Sequence, residues 1–325
     1  MLHNDDLKFH VDTLRGGGVV ALPTETVYGL ACLALNKISV QKVFKIKGRP
    51  TSNPLIVHVL DFEQAEAISF TNEIAKELAK LFWPGPLTMI LPKKPIVPRE
   101  VTAGLESVAI RSPSHSLFRK VLELTGEPLA APSANPHSKL SPTTADEVLQ
   151  AFGKNCPPIL DGGKCAFGLE STVLDLTSNI PTILRPGPIA EKELGDFLGA
   201  EIKPSSFPSF ARGARKSPGL HPKHYAPETP IRLYQNLNSL VKLAPRSKRD
   251  VIILPSRKSL PKFGANGSEL FVLSNDGNVN EIGQNLYGTL RKADKLHRDK
   301  IHISLLDESN GMARAVNDRL RRASF

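Results

Sequence analysis

Cysteine is scarce in this chain. The three that occur in 325 residues, Cys32, Cys156 and Cys165, form no C-x-x-C and cannot pair evenly, which excludes a disulfide framework and a cysteine-based zinc cluster and fits a reducing cytosol. No apolar run approaches the length of a membrane span. The N-terminus carries Asp5, Asp6 and Asp12 and no basic segment leading into an apolar stretch, so neither a signal peptide nor a membrane association is expected, and the expected location is cytoplasmic. The familiar nucleotide signatures are missing too. There is no G-x-x-x-x-G-K-[ST], and the nearest dinucleotide fingerprint, Gly16-x-Gly18 followed by Ala21, precedes its strand instead of following it. A nucleophile elbow with Ser/His/Asp, an H-E-x-x-H and a carboxylate cluster suited to a metal cage are likewise absent. His221-x-x-His224 has no Cys or carboxylate partner at ligand spacing, so no dedicated protein metal site is expected.

What is present is cationic, hydroxylic and unevenly distributed. Residues 1–203 hold 21 Lys/Arg against 22 Asp/Glu, net −1, whereas residues 204–325 hold 21 against 10, net +11. A basic C-terminal part attracts ATP, RNA or an acidic partner, or is simply a biased solvated surface.

At this length, with 40% hydrophobic residues, two domains are expected. Short apolar runs bounded by turn residues lie at 19–23, 55–60, 87–91, 107–111, 128–132, 171–176 and 182–186 and read as strands. Segments 39–47, 72–82, 116–126, 143–152 and 191–199 space apolar residues at three and four and read as helices, giving a mixed α/β sheet domain. The stretch from 203 to about 230 is rich in Pro, Ser and basic residues, as a linker or lid would be. Strands at 250–255, 269–274 and 301–306 then alternate with helices at 280–296 and 311–324, a small second α/β domain. The expected division is therefore 1–203, a linker at 204–230, and 231–325.

Several constellations carry chemistry. Thr24-Glu25-Thr26-Val27-Tyr28-Gly29 follows an apolar strand, where a sheet delivers side chains to a crevice, although an ordinary polar turn would look the same. Lys47-x-Arg49 closes a helix, a placement that dipole effects alone also favour, and Asn53 and His58 follow at once. Ser133-x-Asn135 ends a strand. Ser141-Pro142 or Thr144 to Glu147 then opens a helix, whose N–H groups would be available to a phosphate. Ser171 and Thr172 stand at a strand start. Arg111 and Arg185 each close a strand and are costly to bury unpaired, which points to anion contacts or to structural ion pairs. This supply suits phosphate chemistry that rests on positioning and charge stabilisation, with magnesium brought by the substrate.

Taken in order, PTETVYGL, KGRP with SNPLIVHV, WPGPLT, VAIR, APSAN, SPTTADEV, DGG with FGLESTV, LRPGP and KHYAP resemble the threonylcarbamoyl-AMP synthase family in its long, two-domain form. The likeness is dense over residues 5–230 and looser in LYGTLRKAD and NGMARAVNDRL. Where many relatives carry Gly and Thr, this chain has Ala31 and Ser107, and its linker has Leu220 and Pro222. The resemblance implies a YrdC-like first domain, a twisted mixed sheet with flanking helices around a large basic-lined cavity, and a smaller Rossmann-like second domain. It also implies formation of L-threonylcarbamoyl-AMP and pyrophosphate from L-threonine, bicarbonate or CO2, and ATP with its Mg2+. The product would pass to a separate transferase complex that makes N6-threonylcarbamoyladenosine on tRNAs reading ANN codons.

Carried over by motif, Thr26, His58, Arg111, Ala131 and Ser171 match threonine contacts. Arg49, Asn53, Ser107, Ser133, Ser141, Arg185 and Tyr225 match ATP contacts. Lys47 and Asn135 complete the K-x-R and S-x-N signature, with Lys47 and Arg49 offsetting charge in catalysis, and His224 with Tyr225 would close over the nucleotide as a lid. Two other readings are an RNA-binding module and a carbamoyl-transfer domain like that of the larger hydrogenase-maturation proteins. The first draws on the basic tail, which lacks aromatic interleaving yet leaves a weak tRNA contact as an expectation. The second lacks the accompanying zinc-finger-like cysteines.

Overall fold

The computed structural model describes residues 4–199, 202–204, 225–244, 247–262, 268–308 and 310–324. The chain opens with α1 (Asn4–Arg15), whose Val11 and Leu14 bury against Phe118, Val121 and Leu122 of a later helix. Next come β1 (Val20–Leu22), β2 (Gly29–Leu33), α2 (Lys37–Lys47), β3 (Ile56–His58), α3 (Phe62–Ile68) and α4 (Glu73–Phe82). They are followed by β4 (Leu87–Pro92), α5 (Arg99–Thr102), β5 (Ser107–Arg111), α6 (Ser116–Thr125), β6 (Leu129–Ala130) and α7 (Ala145–Phe152). β7 (Thr172–Asp175), β8 (Thr182–Arg185), α8 (Glu191–Leu198) and β9 (Lys203–Pro204) complete this part.

These strands make one nine-stranded mixed sheet in the order β1-β2-β6-β3-β5-β4-β7-β8-β9. The pairs β3/β5, β4/β7 and β8/β9 are parallel and the rest antiparallel. Apolar residues cover both faces: α2 and α4 contribute Val40, Val43, Leu78 and Phe82 to one cluster, and α1 and α6 supply another. Burial on both faces explains why the strands read as continuous apolar runs instead of alternating. The run 128–132 yields only the two residues of β6, because Pro128 and Pro132 have no N–H to give a ladder. β2 was not expected from the sequence. Its residues Gly29-Leu30-Ala31-Cys32-Leu33 are all buried, and its Gly and Ala have low β propensity and follow directly on a polar turn.

A second sheet follows, formed by β10 (Ile231–Tyr234), β11 (Asp250–Ser256), β12 (Glu269–Ser274) and β13 (Lys300–Ser304), all parallel, in the order β10-β13-β11-β12. Its helices are α9 (Leu237–Leu243), α10 (Val279–Asp294) and α11 (Gly311–Ala323). Of these elements, β10 and α9 are additions to the sequence expectation. The apolar cluster under α10 and α11 takes in Val27, Leu140 and Leu169 from the first sheet's loops together with Leu286, Tyr287 and Met312. Contact is close enough to demand glycine. A Cβ on Gly168, which has φ +71, would lie 2.6 Å from Gln284 Cα, and one on Gly311 would lie 2.6 Å from Ala190 Cα. Among the described residues, no helix is long and apolar enough to cross a membrane.

Candidate active site

The polar turn after β1 is organised by its own first residue. The backbone N–H groups of Thr26 and Val27 both donate to Thr24 Oγ1 at 3.1 Å, a hydroxyl-capped turn that holds Thr26 at the sheet's edge. Next to it, the parallel register pairs His58 at the end of β3 with Arg111 at the end of β5. Two residues far apart in sequence are thereby neighbours on one rim of the sheet. Arg111 is 3% exposed. It donates from Nη1 to Thr26 Oγ1 at 2.9 Å and from Nε to the Gly85 carbonyl at 3.2 Å, and its Nη2 stands 2.5 Å from Glu25 Oε1. Its charge is thus compensated by Glu25, a carboxylate whose role sequence reasoning had left open. His58 stacks at a tilt on Phe118, 5.0 Å between centroids, and its Nδ1 is buried without a hydrogen-bond partner. Burial first, and the Arg111 charge second, push the imidazole down to about 3, so it is neutral at physiological pH.

On the other side, α2 ends in a left-handed cap at Gly48 (φ 60), with the Arg49 N–H bonded back to the Phe44 carbonyl at 3.0 Å. This Schellman-type closure turns the chain so that Arg49 leaves the helix axis. Arg49 donates from Nε to the Asn53 carbonyl at 3.1 Å and from Nη2 to the Pro54 carbonyl at 2.7 Å. Burial, outweighing the Tyr225 contribution that opposes it, and the nearby Arg185 charge pull its pKa down to about 9. Lys47 points differently. Its Nζ donates to the carbonyls of Ser133, at 2.5 Å, and of Asn135, fastening the S-x-N segment to the end of α2. Burial, then the Arg49 charge, hold its pKa well below the ordinary lysine value. Asn135 in turn donates from Nδ2 to the carbonyls of Pro136 and Lys139 at 2.8 and 2.9 Å. Lys47 and Asn135 therefore meet backbone, and neither lies on the wall of the cleft. Asn53 is fully buried with both side-chain polar atoms unpartnered, next to Arg49.

The third side comes from β7 and β8. Ser171, one residue before β7, has its Oγ 2.8 Å from Thr88 Oγ1 and accepts from Arg185 Nη2 at 3.0 Å. Arg185 also donates from Nε to the Ser171 carbonyl at 3.1 Å. The turn after Arg185 runs so close to the start of β7 that a Cβ on Gly187 would fall 2.2 Å from the Thr172 nitrogen. Only glycine fits there, which accounts for the R-P-G-P spelling. Tyr225 closes this side, 2% exposed and in the left-handed region at φ 61.

The result is one cleft enclosing about 530 Å3 of atom-free space, solvent at its mouth included. Of the residues expected from sequence, it brings together Thr26, Arg49, His58, Arg111, Ala131, Ser133, Ser171, Arg185 and Tyr225 on its wall. Ser141 sits behind, its hydroxyl donating to Glu170 at 2.6 Å. Ser107 starts β5, where it pairs with Pro92 of β4, and it does not line the cleft wall. His224 lies outside the described residues. The wall residues Thr24, Val27, Gly29, Ile56, Pro132 and Glu170 were not singled out as contacts beforehand.

At the first turn of α7 the Glu147 N–H is capped by Thr144 Oγ1 at 3.3 Å, and the Glu147 carboxylate takes the Thr143 N–H at 2.7 Å and pairs with Arg291 at 2.8 Å. Among the described residues there is no group of His, Cys, Asp and Glu that could hold a metal ion. The carboxylates at the cleft, Glu25 and Glu170, are each paired to an arginine.

Known proteins resemble this chain over nearly its whole length. Residues 12–187 match the Sua5–YciO–YrdC family, described as telomere recombination, and residues 189–324 match the threonylcarbamoyl-AMP synthase C-terminal domain. The threonylcarbamoyl-AMP synthase of Pyrococcus abyssi is 41% identical over 321 residues, covering 96% of this chain and 92% of the relative. That of Bacillus subtilis is 38% identical over 320 residues, covering 96% and 90%. The crystal structure of P. abyssi Sua5 complexed with L-threonine superposes with a TM-score of 0.89 at 38% identity, covering 98% of this chain and 94% of that one. With both of its parts matched in order, the chain belongs to the Sua5–YciO–YrdC family in the long form that carries the threonylcarbamoyl-AMP synthase C-terminal domain.

Proposed function

We infer that this protein is an L-threonylcarbamoyladenylate synthase, a nucleotidyltransferase that joins L-threonine, bicarbonate or CO2, and ATP. The observation that carries the reading is the convergence of Arg49, Arg185, Ser171, Arg111 and His58 on one cleft, beside near-full-length relatives of that activity. The two substrates divide the cleft along β5. Arg111 at its C-terminal end, with His58, Thr26, Ala131 and Ser171, forms the threonine end. Ser107, four residues back and so about 13 Å away along an extended strand, marks the nucleotide end with Arg49, Asn53, Ser133, Asn135, Ser141, Arg185 and Tyr225.

In the reaction, the amine nitrogen of threonine forms a bond to the carbon of CO2 and loses a proton, giving a carbamate. With bicarbonate as the source, water leaves. A carbamate oxygen then forms a bond to the α-phosphorus while the bond from that phosphorus to the bridging oxygen breaks, and pyrophosphate departs with that electron pair. Arg49 and Arg185 on the wall offset the charge that builds on the phosphate oxygens, as preorganised cations do in a site of low dielectric. Lys47 acts one layer behind, fixing the Ser133–Asn135 segment. Arg111 receives the threonine carboxylate in competition with Glu25, and neutral His58 adds a polar contact without adding charge. Magnesium arrives on the nucleotide phosphates as part of the substrate.

The division into a catalytic domain at 1–203, a linker over the nucleotide at 204–230 carrying His224 and Tyr225, and a small basic domain at 231–325 goes with this reading. So do a cytoplasmic location and transfer of the labile product to a tRNA-modifying complex. The test is to incubate the protein with ATP, magnesium, bicarbonate and each amino acid in turn, and to search by mass spectrometry for a carbamoyl-adenylate. A product that forms with threonine is expected. No adenylate with any amino acid would overturn the assignment.

A further inference from the structure

One wall residue has no place in the chemistry above. Glu170 immediately precedes Ser171, is 7% exposed and carries a carboxylate into a cleft read here as the seat of a polyanionic nucleotide. An uncompensated anion there would repel the phosphates. Glu170 accepts from Ser141 Oγ at 2.6 Å, from Tyr287 OH at 3.0 Å and from Arg319 Nε at 2.9 Å. Tyr287 is on α10 and Arg319 on α11, so two of these three donors come from the helices of the second sheet.

Arg319 is the largest of the fully buried side chains, 1% exposed. Beyond Glu170 it donates from Nη1 to Asp318 Oδ2 at 2.8 Å and to the Pro186 carbonyl at 3.1 Å, and its guanidinium lies 5.3 Å from the ring centre of Tyr225. Tyr225 stacks on Tyr287 with 5.7 Å between centroids. One side chain of α11 therefore grips the residue before Ser171 and the residue after Arg185. Burial alone would raise the Glu170 pKa, but the Arg319 and Arg185 charges and the Ser141 hydroxyl outweigh it and hold it below the ordinary value.

We propose that Arg319 and Tyr287 are positioning residues for the nucleotide half of the reaction: by neutralising and fixing Glu170 and by tying down Pro186, they keep the cleft wall free of an unpaired anion and set Arg185 for ATP. The second sheet is then part of the nucleotide site and not an appendage to it. This rests on the ATP-using reading given above, and the test separates the two.

Affinity for a non-hydrolysable ATP analogue is measured by calorimetry, alongside KM for ATP and for threonine, in Arg319→Met, Tyr287→Phe, Glu170→Gln and the double variant Glu170→Gln/Arg319→Met. Arg319→Met is expected to weaken analogue binding and raise the ATP KM about tenfold or more, the scale of one lost charge-assisted contact. The threonine KM should rise clearly less, because Arg319 reaches the threonine end only through Glu170, the neighbour of Ser171. The double variant, which removes the unpaired anion as well, should recover most of the lost ATP affinity, a rescue that a scaffolding role alone would not produce. Should Arg319→Met fail to fold, Tyr287→Phe removes a single hydroxyl and is expected to raise the ATP KM about three- to fivefold. Wild-type ATP binding in the folded single variants, equal damage in Arg319→Met and the double variant, or parallel rises in both KM values would each overturn the proposal. Absence of threonylcarbamoyl-AMP from the wild-type protein would instead strike the functional reading, with the analogue binding still deciding the role of Arg319.

Discussion

Replacing His58 with Asn should flatten the acid side of the protein's stability profile, by an amount the structure allows to be worked out. The imidazole is 3% exposed, rests on Phe118 and is held at about 3 by burial and by the Arg111 charge, against 6.5 when unfolded. Between those two values the unfolded chain binds a proton that the folded protein refuses, so stability is complete above the unfolded pKa and declines as pH falls through the window from 6.5 toward 3. Each unit of pH well inside that window removes about 1.4 kcal/mol, and the loss between about pH 7 and about pH 5 amounts to roughly 2 kcal/mol. Glu170 also loses stability in acid, but its folded pKa is lowered, so its contribution falls away only below the ordinary carboxylate range. Urea unfolding of both proteins at the two pH values gives the comparison. The variant is less stable throughout because it loses the ring packing, and the decisive quantity is the pH-dependent difference, which should be smaller by roughly 2 kcal/mol in His58→Asn. Equal pH dependence in the two proteins would show that the imidazole protonates freely, and the neutral contact assigned to it at the threonine end would fall.

Arg49→Ala removes a cation from the cleft wall and should lower threonine-dependent pyrophosphate release by about 10²- to 10³-fold, as loss of one preorganised charge-stabilising group does. Lys47→Ala should be at least as inactive and also less stable, because it strips the donor from the carbonyls of Ser133 and Asn135, at about 1–3 kcal/mol for each group left unsatisfied. Wild-type-like turnover in either variant would sink its assigned role. Glu25→Gln leaves the buried Arg111 without its counter-charge, so thermal or urea unfolding should register a loss of about 3–5 kcal/mol, while the threonine KM falls because the substrate carboxylate no longer competes. A threonine KM that rises would mean that Glu25 itself contacts the substrate.

Much of the site could be read from the sequence because its residues stand at the ends of apolar runs. Arg111 and Arg185 close strands, Ser171 opens one, and a sheet rim is where such positions gather. The roles of Glu25 and Glu170 stayed out of reach: each sits in a polar turn whose spelling says nothing of which cation lies opposite. Lys47 and Asn135 were legible as a pair, whereas the backbone carbonyls that each of them meets were not. Arg319 was the least legible. Along the chain it is one of several cations near the end of an amphipathic helix, where helix-dipole and solvation arguments suffice, and its partner Glu170 lies 149 residues away. The fold followed a similar division. Long periodic helices and apolar strands were evident, while β6 was cut short by its prolines and β2 was hidden by glycine and alanine. The repeat of Leu7, Val11 and Leu14 that buries α1 is masked along the chain by its acidic neighbours.

The pairing of His58 with Arg111 across adjacent strands has a consequence for how such a protein can change. Two side chains mounted on neighbouring rungs of a buried ladder keep a separation fixed by interstrand spacing, about 4.8 Å, and no loop exchange can widen it. The opposite end hangs from a capped helix and proline-rich turns, which tolerate insertion and exchange. Directed evolution on this scaffold should therefore retune the nucleotide preference far more readily than the choice of amino acid, since the latter is gauged by the sheet itself.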